Sequence, residues 1–505
     1  MKKIQRIAIA NRGEVAVRII RACEELGLET VLLHSDADMQ SRAYRMATKK
    51  ICIGAASGPA QSVNCYLNIE ANINAALAAG ADALHPGFGF LSENADFAEQ
   101  CEKNGLVFIG PSADAIRKLG DKIFFKNLAK KAGLPLIPCY EGDDQSINVL
   151  LDEAEKIGLP VIVKAAAGGG GRGMKLIRQL SEAKDLIESA QREALSAFGS
   201  AKVFLEKYLE RAKHIEFQIF GDSTGHVEHL FDRECSVQRR HQKIIEEATS
   251  PSLTKELRRK MGEIACTIAS LGQYKNAGTV EFLLQDNQFY LLEVNTRLQV
   301  EHPVTEEVLG IDLVKMQILT AQGNFIFSPQ DIRMPKGHAI ECRVYAENPY
   351  QSGMPSTGKL GLVRWPEGPR RRFEYGFESE DTITSYYDPM IAKVIVWDEN
   401  RNRAIDKMIR TLKDSVIFGV STNIPYLIEI LNHDEFRSAK MTTRFIETYF
   451  ADGLKSKSDD EQVKKWAQLV NKKLKSTQGQ SATQSADQPL LNSVVSPWAS
   501  YWRGV

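Results

Sequence analysis

The chain lacks a net charge, since its 505 residues include 64 lysines and arginines and 64 aspartates and glutamates. This balance excludes a global field that would recruit nucleic acid or an anionic membrane, so any anion site must be local. The longest apolar runs have the length of strands and are interrupted by charges, which excludes a transmembrane helix. Arg6 and Asn11-Arg12 end the first apolar run too early for a signal peptide. No nucleic-acid or membrane partner is therefore expected.

Cysteine is also sparse. The eight cysteines include no CxxC pair and no spacing typical of metal ligands. This pattern indicates reduced thiols in a cytoplasmic protein rather than a disulfide framework or a zinc site.

The chain is too long for one hydrophobic core. Between Ile4 and His85, short apolar strands alternate with helical patterns, which predicts an α/β, doubly wound, Rossmann-like domain. We predict four segments: the first domain at 1–119, a longer α+β domain at 120–335 with a lid at about 135–209, a strand-rich domain at 336–450, and a polar linker with an apolar tail at 451–505.

The tail ends in Trp498, Tyr501 and Trp502, which would share one face of a helical turn. Such a composition is typical of an anchor in a partner's groove. The alternatives are a tail that packs against its own chain and a tail that is unstructured.

Two apolar runs flank the polar turn signal Gln285–Gln288 and predict an antiparallel hairpin. Strand alternation places Glu293, Asn295 and Arg297 on one face. Carboxylates in an apolar sheet are costly to desolvate unless they hold a cation. Oxygen ligands from Glu281, Glu293 and Asn295 suit magnesium, which keeps positions open for nucleotide phosphates. The alternative is a surface hairpin with solvated charges.

A glycine run follows the apolar strand that ends at Lys164. No GK[ST] follows it, which excludes a Walker loop. The backbone amides of this run can close over phosphate oxygens, with charge from Lys164 and Arg172. The alternative is a flexible linker.

Three weaker signals accompany these motifs. The segment Glu206–Leu209 follows a strand and is a candidate hinge for an adenine ring, while His214 is either structural or a ribose contact. The cationic stretch Arg233–Lys243 is either a solvated charge run or an oxyanion pocket. Asn11-Arg12-Gly13-Glu14 lies at a strand-to-helix junction, where doubly wound folds place ligand groups.

Taken together, these motifs resemble the biotin carboxylase family of the ATP-grasp superfamily. The resemblance extends from about Ile4 to Glu447 and rests on IANRGEVAVRIIRA, HPGFGFLSEN, GDK, VKAAAGGGGRGM, EKYLE, DRECSVQRRHQK, LLEVNTRLQVEHPVTE and ECRVYAE. It implies an N-terminal Rossmann-like domain, an ATP-grasp domain with a mobile glycine-rich lid, and a strand-rich C-terminal domain.

The resemblance also implies a site. The nucleotide would contact Lys122, Lys164, Gly169, Gly170, Gly171, Glu206, Lys207, Leu209, His214, Gln238 and His241. Magnesium would bind Glu281 and Glu293 with Asn295 nearby, and bicarbonate would bind Lys243, Arg297, Gln299 and Val300. Glu301 would be the base, and Arg343 would face the ureido oxygen of biotin.

The chain departs from the family pattern at several positions. Phe88 replaces the usual tyrosine near the expected biotin side, and Thr249-Ser250 replaces a proline. Thr48–Lys50 replaces an acidic tract, and Ala55–Asn64 is longer than usual. An Ala-Met-Lys-Met biotinyl motif is missing, and the superficially similar segment Tyr387–Lys393 lies in the third domain.

The implied function is ATP- and Mg²⁺- (or Mn²⁺-) dependent carboxylation of biotin, through carboxyphosphate, on a separate biotin carboxyl carrier protein. This is the first half-reaction of acetyl-CoA, propionyl-CoA, methylcrotonyl-CoA and pyruvate carboxylases. The expected partners are the carrier and a carboxyltransferase subunit, in a homodimer or a larger complex. Another ATP-grasp carbon–nitrogen ligase and a non-catalytic scaffold remain the alternatives.

Overall fold

The computed structural model describes residues 3–55, 65–165, 174–198, 200–240, 242–328, 334–451 and 453–454. Residues 1–454 form one unit, and residues 455–505, with the predicted Trp-rich tail, belong to a second unit outside the described residues. Most of the glycine run, including Gly169–Gly171 and Arg172, and most of the segment 55–64 also lie outside them, as does His241. None of the helices in the described ranges is long and apolar enough to cross a membrane.

The N-terminal part is a parallel sheet covered by helices. Its strands are β1 (Arg6–Ile9), β2 (Glu29–Ser35), β3 (Lys49–Gly54), β4 (Ala83–His85) and β5 (Val107–Phe108), in the order β3-β2-β1-β4-β5. Its helices are Gly13–Glu25, Arg42–Met46, Ile69–Ala78, Ala95–Lys103 and Ala113–Gly120, with a short 3-10 turn at Asp36–Asp38. Strand β1 pairs in parallel with both β2 and β4. The predicted doubly wound domain is confirmed, and its switch point lies at the carboxyl ends of β1 and β4.

The following segment forms a small four-stranded sheet. Its strands are β6 (Cys139–Tyr140), β7 (Val161–Ala165), β8 (Lys175–Ile177) and β9 (Val203–Lys207), in the order β6-β9-β7-β8. The associated helices are Lys122–Lys131, Ile147–Ile157 and Leu180–Phe198. Val161, Val163 and Leu205 are fully buried against Ile187 of the last helix. Alternation of apolar residues in β7 and β9 thus gives this lobe its own small core.

The remaining strands build an antiparallel region. They are β10 (Lys213–Gly221), β11 (Val227–Arg239), β12 (Gln242–Ala248), β13 (Asn276–Gln285), β14 (Gln288–Asn295), β15 (His338–Tyr345), β16 (Glu347–Asn348), β17 (Met354–Pro355), β18 (Gly358–Lys359), β19 (Leu362–Arg364), β20 (Arg371–Tyr375), β21 (Thr382–Ile383), β22 (Met390–Asp398) and β23 (Val416–Phe418). The helices are Lys255–Leu271, His302–Leu309, Leu313–Ala321, Arg401–Asp414, Ile424–Asn432, Asp434–Arg437 and Phe445–Tyr449. Three strand pairs, β16-β17, β18-β21 and β19-β23, stand apart from the main sheet.

The main sheet has eight strands in the order β14-β13-β10-β11-β12-β15-β22-β20. It crosses the predicted boundary at residue 335, because β12 pairs with β15 and places Ile245 opposite Cys342. The second and third predicted domains therefore share one continuous sheet. The predicted domain boundaries at residues 119, 335 and 450 remain predictions.

Candidate active site

The hairpin predicted from the sequence is confirmed as β13 and β14. Asp286 and Asn287 have φ angles of 51° and 65°, the left-handed pair that a tight two-residue hairpin turn requires. The register places Glu281 opposite Glu293 and Thr279 opposite Asn295, so the two carboxylates share one face. Glu281 is buried, which excludes the alternative of a hairpin whose charges are all solvated.

Lys243, on β12, lies at the centre of the acidic groups. Its Nζ donates to Glu281 Oε1 at 2.7 Å and to Glu301 Oε1 at 2.7 Å, and it also donates to Glu216. Burial alone would lower the pKa of Lys243, but these three carboxylates raise it well above its ordinary value. Lys243 is therefore a fixed cation that holds strands β10, β12 and β13 to the turn before the helix His302–Leu309.

Glu301 lies at the N-terminus of that helix and is fully buried. One carboxylate oxygen accepts from Lys243, and the other accepts from Arg343 Nη2 at 2.9 Å. Burial would raise the pKa of Glu301, but Lys243, Arg343 and Arg233 together lower it well below its usual range. Glu301 is consequently ionised at neutral pH and able to accept a proton.

Arg343 bridges two carboxylates. Its Nε donates to Glu246 Oε1 at 2.6 Å, while its Nη2 reaches Glu301. Burial and the charge of Glu301 raise the pKa of Glu246 to about 7, although Arg343 opposes this. Glu246 lies on β12 opposite Glu341 of β15, so the acids and Arg343 line the same face of the sheet.

His214 and Gln238 complete the inner wall. The His214 Nε2 lies 3.1 Å from Glu281 Oε2, and its Nδ1 lies 3.1 Å from Gln238 Nε2. Burial would raise the pKa of Glu281, but Lys243 and His214 lower it. His214 thus contacts the acidic cluster. These contacts do not decide between the two predicted alternatives for His214, a structural role and a ribose contact.

Arg233, on β11, supports the cluster from behind. It is fully buried and donates to Glu216, to Gln218 Oε1 at 2.7 Å, to Thr305 Oγ1 at 2.9 Å and to Thr279 Oγ1 at 3.0 Å. The interpretation of Arg233–Lys243 as a solvated run is therefore wrong at Arg233, where every donor contact is internal. The sequence motifs did not single out Glu216 or Glu246. The i, i+2 spacing of His214 and Glu216 on one strand was the available signal.

Arg297 lies just beyond β14. It donates to Asn295 Oδ1 at 3.1 Å, to Gln299 Oε1 at 2.8 Å and to Glu93 Oε2 of the N-terminal domain at 2.9 Å. The contact with Asn295 brings Arg297 to the end of β14, but Arg297 lies in the loop that follows the strand and not on the strand face predicted for it. These contacts connect the hairpin to the HPGFGFLSEN segment.

A cleft of about 990 Å³ opens beside the hairpin. Lys122, Phe124 and Asn127 of one helix line it, together with Glu293 and Asn295 of the hairpin. Burial and the nearby charge of Glu281 raise the pKa of Glu293, whereas Lys122 opposes this. The cleft is large enough for a nucleotide, and its lining includes the cation of Lys122 and the oxygen-bearing side chains of Glu293 and Asn295.

The lobe β6–β9 supplies the remaining predicted groups. Lys164 forms an ion pair with Glu206 across the sheet. Lys207 donates from its backbone N–H to Pro138 at 2.8 Å, and Tyr208 donates to Pro160 at 2.9 Å. These two amides are used inside the lobe, so an adenine hinge would need other atoms of Glu206–Leu209. Gly169–Gly171 and His241 lie outside the described residues.

The junction residues Asn11–Glu14 contact protein groups. Asn11 Nδ2 donates to Pro86 O at 2.7 Å and to Phe88 O at 2.8 Å, and Arg12 Nη2 donates to Asp38 Oδ1 at 2.9 Å. Glu14 Oε1 lies 3.2 Å from Lys393 Nζ. The junction therefore ties loops together in this structure.

The fold combines a doubly wound domain, a small lobe and a large antiparallel sheet, and this sheet carries acidic side chains paired with buried cations. This combination defines a multidomain ligase of the ATP-grasp class. The family model "Biotin carboxylase, N-terminal domain" matches residues 3–116, "Carbamoyl-phosphate synthase L chain, ATP binding domain" matches 121–326, and "Biotin carboxylase C-terminal domain" matches 341–448. The chain belongs to the biotin carboxylase family, as its sequence predicted.

Curated relatives agree with this family assignment. A pyruvate carboxylase subunit of Methanothermobacter thermautotrophicus is 48% identical over 449 residues, which cover 88% of this chain and 90% of the relative. Biotin carboxylase 1 of Bacillus subtilis is 45% identical over 448 residues, covering 88% and 99%. The alpha chain of the mitochondrial methylcrotonoyl-CoA carboxylase of Dictyostelium discoideum is 46% identical over 448 residues, covering 88% of this chain and only 64% of the relative.

Solved structures agree as well. The biotin carboxylase domain of a thermophilic 2-oxoglutarate carboxylase bound to bicarbonate has a TM-score of 0.84 at 41% identity and covers 89% of this chain and 98% of that one. A dimer of this domain from Hydrogenobacter thermophilus, in complex with MgADP, ADP and bicarbonate, has a TM-score of 0.80 at 42% identity with the same coverage. The predicted fold and enzyme class are confirmed.

Proposed function

We propose that this protein carboxylates biotin with bicarbonate at the expense of ATP. The observation that carries the proposal is the position of Glu301, a buried carboxylate kept ionised by Lys243 and Arg343. A proton acceptor beside fixed cations suits a reaction that deprotonates one anion and develops charge on another.

In the proposed first step, Lys243 and Arg297 hold bicarbonate, with Gln299 and the Val300 backbone beside it. Glu301 accepts the bicarbonate proton as the bicarbonate oxygen attacks the γ-phosphorus of ATP, and ADP leaves. The products are ADP and carboxyphosphate. Catalysis here consists of positioning and charge stabilisation, which the crowded ion pairs around Lys243 favour.

In the second step, carboxyphosphate breaks into CO₂ and phosphate. The phosphate accepts the N1 proton of biotin, and N1 then forms its bond to the carbon of CO₂. We assign Arg343 to the ureido oxygen, where negative charge develops. The burial of Arg343 supports this role, since a cation is more effective at low dielectric.

The nucleotide is placed in the cleft lined by Lys122 and the hairpin. The proposed contacts are Lys122, Lys164, Gly169, Gly170, Gly171, Glu206, Lys207, Leu209, His214, Gln238 and His241. Of these residues, Lys122 lines the cleft, together with Glu293 and Asn295 of the hairpin, and this supports the placement.

The same hairpin fits magnesium. Glu281 and Glu293 face each other in register. Burial raises the pKa of Glu293 and the charge of Glu281 raises it further, a repulsion that a cation between them would relieve. Glu281, Glu293 and Asn295 would hold the ion, which supplies charge neutralisation at the phosphates. His214, Glu216 and Glu281 also approach one another closely enough for a metal, but Glu216 is already paired with two cations, Arg233 and Lys243.

We further propose that biotin arrives on a separate carrier protein and leaves for a carboxyltransferase subunit, in a homodimeric or larger assembly in the cytoplasm. Relatives named as subunits of pyruvate and methylcrotonoyl-CoA carboxylases support such partners. Cys23, Cys101, Cys235 and Cys342 are buried free thiols, which agrees with a reducing compartment. The final acceptor of the carboxyl group is proposed to be an acyl-CoA or a keto acid.

The decisive assay is ADP release by the purified protein with and without bicarbonate, repeated with free biotin and ¹⁴C-bicarbonate. Bicarbonate-dependent ADP release and labelled carboxybiotin are expected. ADP release that requires ammonia instead would identify another ATP-grasp ligase. No release under any condition would identify a scaffold.

A further inference from the structure

Lys393 belongs to the segment that superficially resembles a biotinyl motif, yet its side chain is inaccessible. It lies on β22 and is fully buried. A lysine without solvent contact is unsuited to attachment of biotin by a separate enzyme. The length and the charge of its side chain must therefore be explained by what it touches inside the protein.

Lys393 Nζ donates to the backbone carbonyl of Val300 at 2.7 Å. The same ammonium lies 3.2 Å from Glu14 Oε1 and 5.7 Å from the centre of the Phe88 ring. These contacts come from three separate parts of the chain. The ammonium is thus fixed between the N-terminal helix Gly13–Glu25 and the turn that carries Glu301.

Val300 and Glu301 share a peptide group. Rotation of that group would move the start of the helix His302–Leu309, where Val304 N–H donates to Glu301 O at 3.3 Å. The carbonyl of Gln299 is likewise held, at 3.3 Å from His302 N and 2.7 Å from His302 Nδ1. Lys393 therefore completes the fixation of a turn that bears the proton acceptor.

The neighbouring residues explain why position 393 carries a cation. Lys393 faces Arg343 on β15 and Glu374 on β20, and Glu341 lies two residues before Arg343 on the same face. Burial raises the pKa values of Glu14 and Glu341, and Lys393 opposes both shifts. A buried cation is costly to desolvate, and the carbonyl of Val300 and the carboxyl of Glu14 offset that cost for Lys393.

We propose that Lys393 is a positioning residue that anchors the Val300 carbonyl and so fixes Glu301 for bicarbonate. The inference rests on the proposed function and deepens it. A displaced turn should weaken the use of bicarbonate while leaving the nucleotide cleft unchanged, because the cleft is lined by Lys122, Glu293 and Asn295.

The test compares Lys393→Met with the wild-type full-length protein. Lys407→Met is the matched control, since Lys407 also donates to a backbone carbonyl, that of Trp397 at 2.8 Å, away from the site. Three quantities are measured: hydrogen exchange of the peptide spanning Gln299–Thr305 without substrates, the KM for bicarbonate in ADP release, and the Kd for ADP.

We expect faster exchange of that peptide and a bicarbonate KM raised at least about tenfold in Lys393→Met, with an unchanged Kd for ADP. Lys407→Met should match the wild type in all three. Unchanged exchange, an unchanged KM, or a Kd for ADP that weakens in parallel would overturn the inference. If Lys393→Met does not fold, Lys393→Gln decides, because it removes the ammonium but keeps a polar side chain: an unchanged exchange rate there would also overturn the inference.

The two proposals fail separately. A wild-type protein without bicarbonate-dependent ADP release would overturn the proposed function. Faster exchange in Lys393→Met would in that case still support the anchoring of the turn.

Discussion

Arg343 Nη2 donates to Glu301 Oε2 at 2.9 Å, so the residue assigned to biotin is in direct contact with the residue assigned to bicarbonate. Lys243 holds the other oxygen of Glu301 at 2.7 Å. If Arg343 turned to another anion, Glu301 would lose one of its cations and become a stronger base. In the proposed mechanism, the two half-reactions are therefore coupled through this ion pair.

Arg343→Ser is expected to separate the half-reactions. Carboxylation of free biotin should fall further than bicarbonate-dependent ADP release, because the proposed enolate loses its cation. The pKa of Glu301 should also rise. In the pH profile of ADP release, the loss of activity on the acidic side should therefore begin at a higher pH. Both rates are measured across pH, with the exposed Arg403→Ser as the control. Equal losses in the two rates would contradict the assignment.

Glu301→Gln is expected to remove the proton acceptor while preserving shape. Bicarbonate-dependent ADP release should fall by at least about 100-fold. Glu307→Gln, on the same helix but partly exposed, is the matched substitution and should change the rate little. A similar rate in Glu301→Gln and wild type would show that another group takes the proton.

Glu293→Gln is expected to raise the magnesium concentration needed for half-maximal ADP release at least about tenfold, because a charged ligand is lost. A magnesium titration at fixed ATP measures this. Glu263→Gln, on the helix Lys255–Leu271, controls for a general loss of charge. An unchanged magnesium requirement would remove Glu293 from the site.

Glu247 gives a prediction about stability. Burial would raise its pKa, but Arg401 and His338 lower it to about 2. A lowered carboxyl pKa stabilises the fold above the unfolded-state value near 4.5, and this stabilisation is lost as the pH falls towards about 2.

Glu247→Gln should therefore lower the Tm at pH 7, and the difference from wild type should stay constant down to about pH 5 and shrink below it. Thermal unfolding followed by circular dichroism at several pH values provides the measurement. Glu399→Gln, at an exposed position, should show no such difference. A Tm difference that grows on acidification would have the wrong sign for this account.

Local patterns were sufficient for the hairpin. Alternation and the Asp286-Asn287 turn predicted β13 and β14, and the side-chain oxygens of Glu281, Glu293 and Asn295 predicted a magnesium site. The contacts around Lys243 could not be predicted from local patterns, because Glu216 and Glu301 lie far from Lys243 in the sequence, on another strand and in a turn. Glu216 and Glu246 were missed for that reason.

The sequence by itself determined the elements, the residue types of the site and the family, because strand alternation, turn chemistry and long motifs are local properties of the chain. The tertiary structure decided which charges meet. Strand register brings Arg343 to Glu246 and Glu301, and it buries Lys393 beneath Val300. The pKa of each group depends on those neighbours and on desolvation, and neither exists until the sheet has formed.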